Sequence, residues 1–251
     1  MTILLRLILF FVLLLCAACG KKGPLVPPGG IAPAPVSALR TDQQGDTFRI
    51  SWLAPEQGDR GRGASDLAGF RLYRREIRSA GDECPTCGAD DILIRTVDLE
   101  YLQDVVRIGN LFVVVDGDVA KGKTYQYQVT AFEKNGAENR ESGRVKRKMV
   151  QPPPPPVVRL AEVPAGVMLQ WEPVTVASGV MSGYAVYRLR PGERYAFRPL
   201  ILAPVKEERY EDLRMEADVV YRYQVRTVAR VDGETVESDP SPPVEGKLVL
   251  P

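Results

Sequence analysis

No histidine occurs in the 251 residues. That removes the commonest general base near neutral pH and the commonest transition-metal ligand together. No glycine-rich phosphate loop is present, and no serine sits in a Gly-x-Ser-x-Gly elbow, so nucleotide and serine-hydrolase chemistry lack their usual signatures. Carboxylate pairs do occur at Asp90-Asp91 and Glu207-Glu208, but in polar, loop-like stretches that suit solvated surface. A charge excess is missing too. Against 32 Asp+Glu stand 33 Lys+Arg, a formal +1, which gives no global field to attract nucleic acid. The chain is therefore expected to be non-enzymatic, with no catalytic residues, no metal, no cofactor and no nucleic-acid partner.

A long apolar run is lacking as well. From Leu7 to Ala18 twelve residues carry no charge, and Arg6 and Lys21-Lys22 bound them. A membrane-spanning helix needs about 20 residues to cross about 30 Å of hydrocarbon. A positive start, a short apolar stretch and small residues before a boundary have the anatomy of a secretory signal. Leu15-Cys16-Ala17-Ala18-Cys19 resembles the bacterial lipobox, with Cys16 where an aliphatic residue is usual. The resemblance implies cleavage before Cys19, lipidation of Cys19, and stable anchoring by several acyl chains. Gly20 is not the Asp that retains such lipoproteins in the inner membrane, so the outer membrane is expected. Residues 1–18 are thus read as a signal peptide and 19–35 as a flexible lipidated tether.

Past the tether, composition is that of a normal globular protein, 45% hydrophobic and 26% charged, and the length suits two ordinary domains. Strands are the strong signal. Phe48, Ile50 and Trp52 alternate with polar residues, as do Val167, Leu169 and Trp171, the period of a half-buried strand. Gly69-Phe-Arg-Leu-Tyr-Arg74 is answered by Gly183-Tyr-Ala-Val-Tyr-Arg188, and Tyr125-Gln-Tyr127 by Tyr221-Arg-Tyr223. Asp116 precedes Tyr125 by nine residues, and Asp212 precedes Tyr221 by nine. Asn135-Gly136 and Asp232-Gly233 mark hairpins of the kind that tolerate type I′ turns. Such spacing marks an internal repeat.

The pattern resembles the fibronectin type III domain in both units. It implies an all-β chain of two tandem immunoglobulin-like β-sandwiches, at 36–150 and 157–251, with Trp52 and Trp171 in the cores and Tyr125 and Tyr221 as tyrosine-corner residues. Between them Pro152 to Pro156 form a stiff linker, 151–156, expected to space the units. The first unit carries five more residues than the second between its Trp and its Gly-aromatic run, and eighteen more before the Asp. Loops of a rigid scaffold are where binding usually lives, so a dedicated site is expected on the first unit.

The longer insertion holds Cys84-Pro85-Thr86-Cys87. Four readings stay open: a local disulfide, a redox-active pair, half of a zinc site, or two free thiols. An oxidising compartment favours the Cys84–Cys87 disulfide. The redox reading lacks a βαβ context, and the zinc reading lacks further ligands. Arg144, Lys146, Arg147 and Lys148 form a basic run on the last strand of the first unit. It reads as a charged edge strand that resists aggregation, or as a contact for lipid phosphate, to which Arg71, Arg74, Arg75 and Arg78 add only from a shared sheet face.

Cys19-Gly20-Lys21-Lys22-Gly23-Pro24-Leu25, with Pro27 and Pro28 after it, resembles the start of the small LptM-type lipoproteins, with Val26 where an aromatic is typical. The resemblance implies that Lys21, Lys22, Gly23, Pro24 and Leu25 contact the outer-membrane translocon that delivers lipopolysaccharide. The chain is thus expected to be a periplasmic binding or scaffolding lipoprotein. The alternative is a surface-exposed lipoprotein that binds polysaccharide or another cell.

Overall fold

The computed structural model describes residues 33–55, 67–78, 91–141, 143–193 and 195–248. Among them every regular element is a strand, and the chain is all-β. The first sandwich sets β1 (Ser37–Gln44), β2 (Thr47–Leu53), β5 (Val106–Ile108) and β6 (Leu111–Asp116) against β3 (Leu67–Ile77), β4 (Ile92–Asp98), β7 (Thr124–Glu133), β8 (Glu138–Asn139) and β9 (Arg144–Lys148). The second sets β10 (Val158–Val163), β11 (Gly166–Trp171) and β13 (Arg209–Asp212) against β12 (Val180–Leu189), β14 (Tyr221–Val231), β15 (Glu234–Glu237) and β16 (Val244–Gly246).

Each core is the inward phase of the alternating pattern. Phe48, Ile50 and Trp52 of β2 meet Phe70 and Leu72 of β3 and Tyr127 and Val129 of β7. Trp52 packs edge-on to Phe70 at 5.5 Å and stacks near Phe112 at 6.0 Å. In the second core Val167, Leu169 and Trp171 of β11 meet Tyr184 and Val186 of β12 and Tyr221, Tyr223 and Val225 of β14. A buried aromatic of this kind removes about 150–250 Å² from water, worth about 4–6 kcal/mol at about 25 cal/mol per Å² before entropy is counted.

The glycine that opens each repeated run has a steric reason. Ladder register slips between Leu67 and Gly69 in β3, and between Met181 and Gly183 in β12. A Cβ on Gly69 would stand 2.0 Å from the Val97 carbonyl oxygen, and one on Gly183 2.3 Å from that of Val205. Both bulges let a neighbouring backbone close in where no side chain fits. The two hairpin turns differ. Asp232 and Gly233 both have positive φ, as a type I′ turn requires. Asn135 does not, and Gly136 alone does. There the Gly136 N–H donates to the Glu133 carbonyl at 2.9 Å, which makes a type I turn closed by a glycine bulge.

The linker does not hold the two sandwiches apart as expected. Pro152, Pro153 and Pro156 are buried, and the Thr227 hydroxyl donates to the Pro154 carbonyl at 2.7 Å, so the prolines lie along the second sandwich. The sandwiches touch directly. Gln43 and Gln44 of β1 pair in parallel with Val236 and Glu237 of β15, which joins one sheet of each unit into an eight-stranded sheet. A polar clasp surrounds this pairing. Gln44 Nε2 donates to Glu237 Oε2 at 2.8 Å, its Oε1 accepts from the Tyr195 hydroxyl at 2.7 Å, and Tyr187 Oη donates to Glu237 at 2.8 Å. Burial first, then the Glu237 carboxylate, pushes the Tyr187 phenol far above its ordinary value. Buried Arg147 donates to the carbonyls of Thr41 (2.9 Å) and Thr235 and to Glu234 (3.2 Å).

Candidate functional site: the outer sheet face of the first sandwich

Cys19, Lys21, Lys22, Gly23, Pro24, Leu25, Cys84 and Cys87, and with them the lipidation, strip and disulfide readings, lie outside the described residues. Within the described part, two of the three most strongly perturbed phenols belong to a network that occurs twice, the third being Tyr187 of the joint. Tyr127 donates to Asp116 Oδ2 at 2.8 Å, and Arg74 donates to both oxygens of the same carboxylate, at 2.9 and 3.1 Å. In the second sandwich Tyr223 donates to Asp212 at 2.8 Å, and Arg188 does so at 2.7 Å. Burial first, then Asp116, drives the Tyr127 phenol far up; burial and Asp212 do the same to Tyr223. Arg74 and Arg188 lie over the rings of Tyr125 and Tyr221, at 5.3 and 4.6 Å. Those rings are the corners: the Ala120 N–H donates to Tyr125 Oη at 3.0 Å, and the Glu216 N–H to Tyr221 Oη at 3.4 Å. A perturbed acid-base cluster can mark a catalytic site. Here its presence in both repeats, against each core, makes it a structural bolt. The nine-residue Asp-to-Tyr spacing is its trace in the sequence, although the partner of the Asp is the second tyrosine rather than the first.

The basic run divides between two surfaces. β3 and β9 both pair with β7, and residues opposite one another in a ladder share a face. The rows Tyr73–Gln128–Arg144, Arg75–Gln126–Lys146 and Ile77–Thr124–Lys148 all lie on the outer face, with Arg71 beyond them. Arg74 and Arg147 belong to the opposite face, one in the Asp116 bolt and the other in the clasp. On the outer face charges are largely interlocked. Arg71 pairs with Glu138, and Arg144 with Asp91 at 2.8 Å. Arg75 hydrogen-bonds Gln126 at 2.6 Å. Glu138 also accepts from Thr130 at 2.6 Å and Tyr73 at 3.1 Å. Burial opposes ionisation of Glu138, yet these two hydrogen bonds and the Arg71 guanidinium hold its pKa below the ordinary value. No periodic signal in the sequence singled out Glu138.

A groove of about 750 Å³ runs along the end of this face, beside Arg74, Arg75, Asp91, Asp118 and Lys123. Its cations are matched internally, Arg74 by Asp116 and Asp118, and Lys123 by Glu76 at 2.9 Å. The extra residues of the first unit build β4, which pairs with β3 from Gly69↔Asp98 to Arg74↔Ile92. In the second unit the same edge is a single bridge, Tyr184↔Val205. Ile92 and Leu93 of β4 are exposed. Among the described residues no cluster of potential metal ligands occurs, and no helix is long and apolar enough to cross a membrane. A scan against protein-family models finds no match to the chain, and a search of curated proteins finds none either.

Proposed function

We propose that the chain is a non-enzymatic, lipid-anchored lipoprotein of the outer membrane whose two fibronectin type III-like sandwiches act together as a periplasmic scaffolding or binding module. In this reading Cys19 carries the lipid, and the strip Lys21 to Leu25 meets an envelope partner, the lipopolysaccharide translocon. The observation that carries it is the joint. β1 begins directly after the tether and is paired with β15 of the second sandwich, so a tethered first unit takes the second with it as one body. A body of fixed shape on a tether suits positioning better than turnover. The duplicated Arg–Asp–Tyr bolts support the same reading, because they engage the strongly perturbed tyrosines of both cores in structure.

The test is a chimera that keeps Cys19 and replaces residues 20–28 with Gly-Ser. It should remain in the membrane fraction and lose its co-purifying barrel partner, and Cys19→Ser should abolish acyl labelling. Retention of the same partner by the chimera would move recognition to the sandwiches. Cleavage of the sandwiches by protease added to intact cells would instead place them on the cell surface.

A further inference from the structure

The second sandwich carries an apolar protrusion that its core does not use. Along the edge of β12 the chain runs back from Val205 to Leu200 while β12 itself goes only from Tyr184 to Val186, more chain than a ladder can take up. Both ends of that run are pinned. Tyr184 and Val205 exchange backbone hydrogen bonds at 2.8 Å, and the Leu200 N–H donates to the Val186 carbonyl at 2.8 Å. The Lys206 ammonium donates to the Ser182 carbonyl at 2.6 Å. Val205 is buried in the second core and Leu200 packs against it. The excess chain therefore projects as a finger, with Ile201, Leu202 and Ala203 all exposed. Leu202, at 84%, is the barest large hydrophobic side chain among the described residues. Pro199 and Pro204 bracket the finger and fix φ on either side of it. Three consecutive exposed apolar residues are a fault in a water-facing surface unless they have a use. The first sandwich has no counterpart, because β4 fills the same edge as a full strand.

We propose that this finger inserts into the interface of a phospholipid bilayer, with Leu202 deepest. Shape and size favour lipid over protein. The finger is convex, and its few residues fall far short of the about 800 Å² per partner that a stable protein interface buries. A bilayer needs no matching groove and takes apolar side chains into the boundary between headgroups and acyl chains. Flanking charges offset one another, exposed Arg198 and Lys206 against exposed Glu207 and Glu208, so the attraction is apolar rather than electrostatic. Pinned ends leave little freedom to lose on insertion. The inference rests on the anchored reading above in one respect. Residues 20–32, at most about 45 Å when fully extended, would hold the sandwiches near a bilayer, where a weak contact is multiplied by effective concentration.

The full chain carrying Leu202→Trp is mixed with phosphatidylcholine vesicles whose acyl chains are brominated, and its fluorescence is read. Trp52 and Trp171 lie in the two cores and supply a constant background. The introduced indole should shift to the blue and be quenched, while Val157→Trp, at a site 70% exposed, should keep its emission. Adding anionic lipid should leave the quenching unchanged. Ile201→Asp in the Leu202→Trp chain should raise the lipid concentration needed by about tenfold, from the apolar area lost and the charge gained, with an unchanged thermal midpoint. A chain that floats with the vesicles while its introduced indole stays unquenched would overturn the finger and leave the anchor standing. Quenching that persists in Cys19→Ser would support the finger whatever becomes of the anchor. Equal quenching at position 157, or quenching only with anionic lipid, would overturn the proposal. So would a photoreactive residue at 202 that crosslinks in cells to protein and not to phospholipid.

Discussion

Arg147→Ala tests whether the two sandwiches are one mechanical unit. The substitution removes donors to the Thr41 and Thr235 carbonyls and to Glu234, one acceptor on the first unit's β1 and two on the second unit's β15. Hydrogen bonds from a charged group contribute about 1.5–3 kcal/mol each, and carbonyls left unpaired in a buried joint cost more than their removal would. Two terms pull the other way. Burial opposes the guanidinium charge, which shows as a pKa below the ordinary arginine value despite Glu234 and Asp42 nearby. Glu234 is largely exposed and rehydrates when its partner goes, so that ion pair contributes at most about 1 kcal/mol. The net loss is about 2–4 kcal/mol, roughly 4–16 °C in Tm for a unit of this size. Each sandwich holds one of the two tryptophans, so single-tryptophan versions report the halves separately during urea unfolding. The wild type should lose both signals in one transition, and Arg147→Ala should unfold earlier with the two signals apart. The neighbouring Lys148→Ala, exposed and unpaired, should change nothing beyond about 0.5 kcal/mol. Coincident transitions in Arg147→Ala, with a midpoint inside that margin, would refute the clasp.

Gly183→Ala should cost more than about 2 kcal/mol, because its φ is +125° and the new Cβ meets the Val205 carbonyl oxygen at 2.3 Å. Gly136→Ala, with positive φ but open space around it, should cost only about 1 kcal/mol; equal losses in denaturant midpoints would show that the close approach does not matter. Tyr125→Phe should destabilise by about 1–2 kcal/mol through the Ala120 N–H it leaves unpaired, and Tyr221→Phe by less, since its bond is longer at 3.4 Å. Glu138 has a folded pKa below its ordinary 4.5, so its contribution is complete above that pH and fades as pH falls through the folded value. The stability gap between wild type and Glu138→Gln should therefore stay constant from about pH 7 to 5.5 and close in the acid limb, and a gap that widens in acid would reverse the sign.

Much of each sandwich was legible because the local signal and the tertiary outcome agree. Alternating Phe48, Ile50 and Trp52 had to face inward, and the repeated Tyr-x-Tyr marked both a corner and a core. Asp116 and Asp212 were visible as spacing but not as chemistry, since register across β2, β3, β6 and β7 decides that the carboxylate reaches Tyr127. The joint was hidden for a different reason. Gln43 and Gln44 are polar residues that become buried only when β15 arrives, and no hydrophobic period announces that. A proline run read alone is a spacer; laid against Thr227 it becomes part of a surface. Glu138 was invisible and Asp91, read as solvated surface, is instead largely buried against Arg144, because ion-pair partners on a sheet face are set by cross-strand neighbours.

The parallel pairing of β1 with β15 also imposes an order of events. Gln44 and Glu237 are 193 positions apart, so the contact closes a loop that spans most of the chain. Contacts of such separation form late, after local hairpins and each core have collapsed. Before the second sandwich has formed, the first would stand with the outer side of β1 bare, an unpaired row of amides next to two glutamines. Until the last strands follow, that row is a template for another chain. Once β15 docks, the second sandwich serves the first as an intramolecular cap.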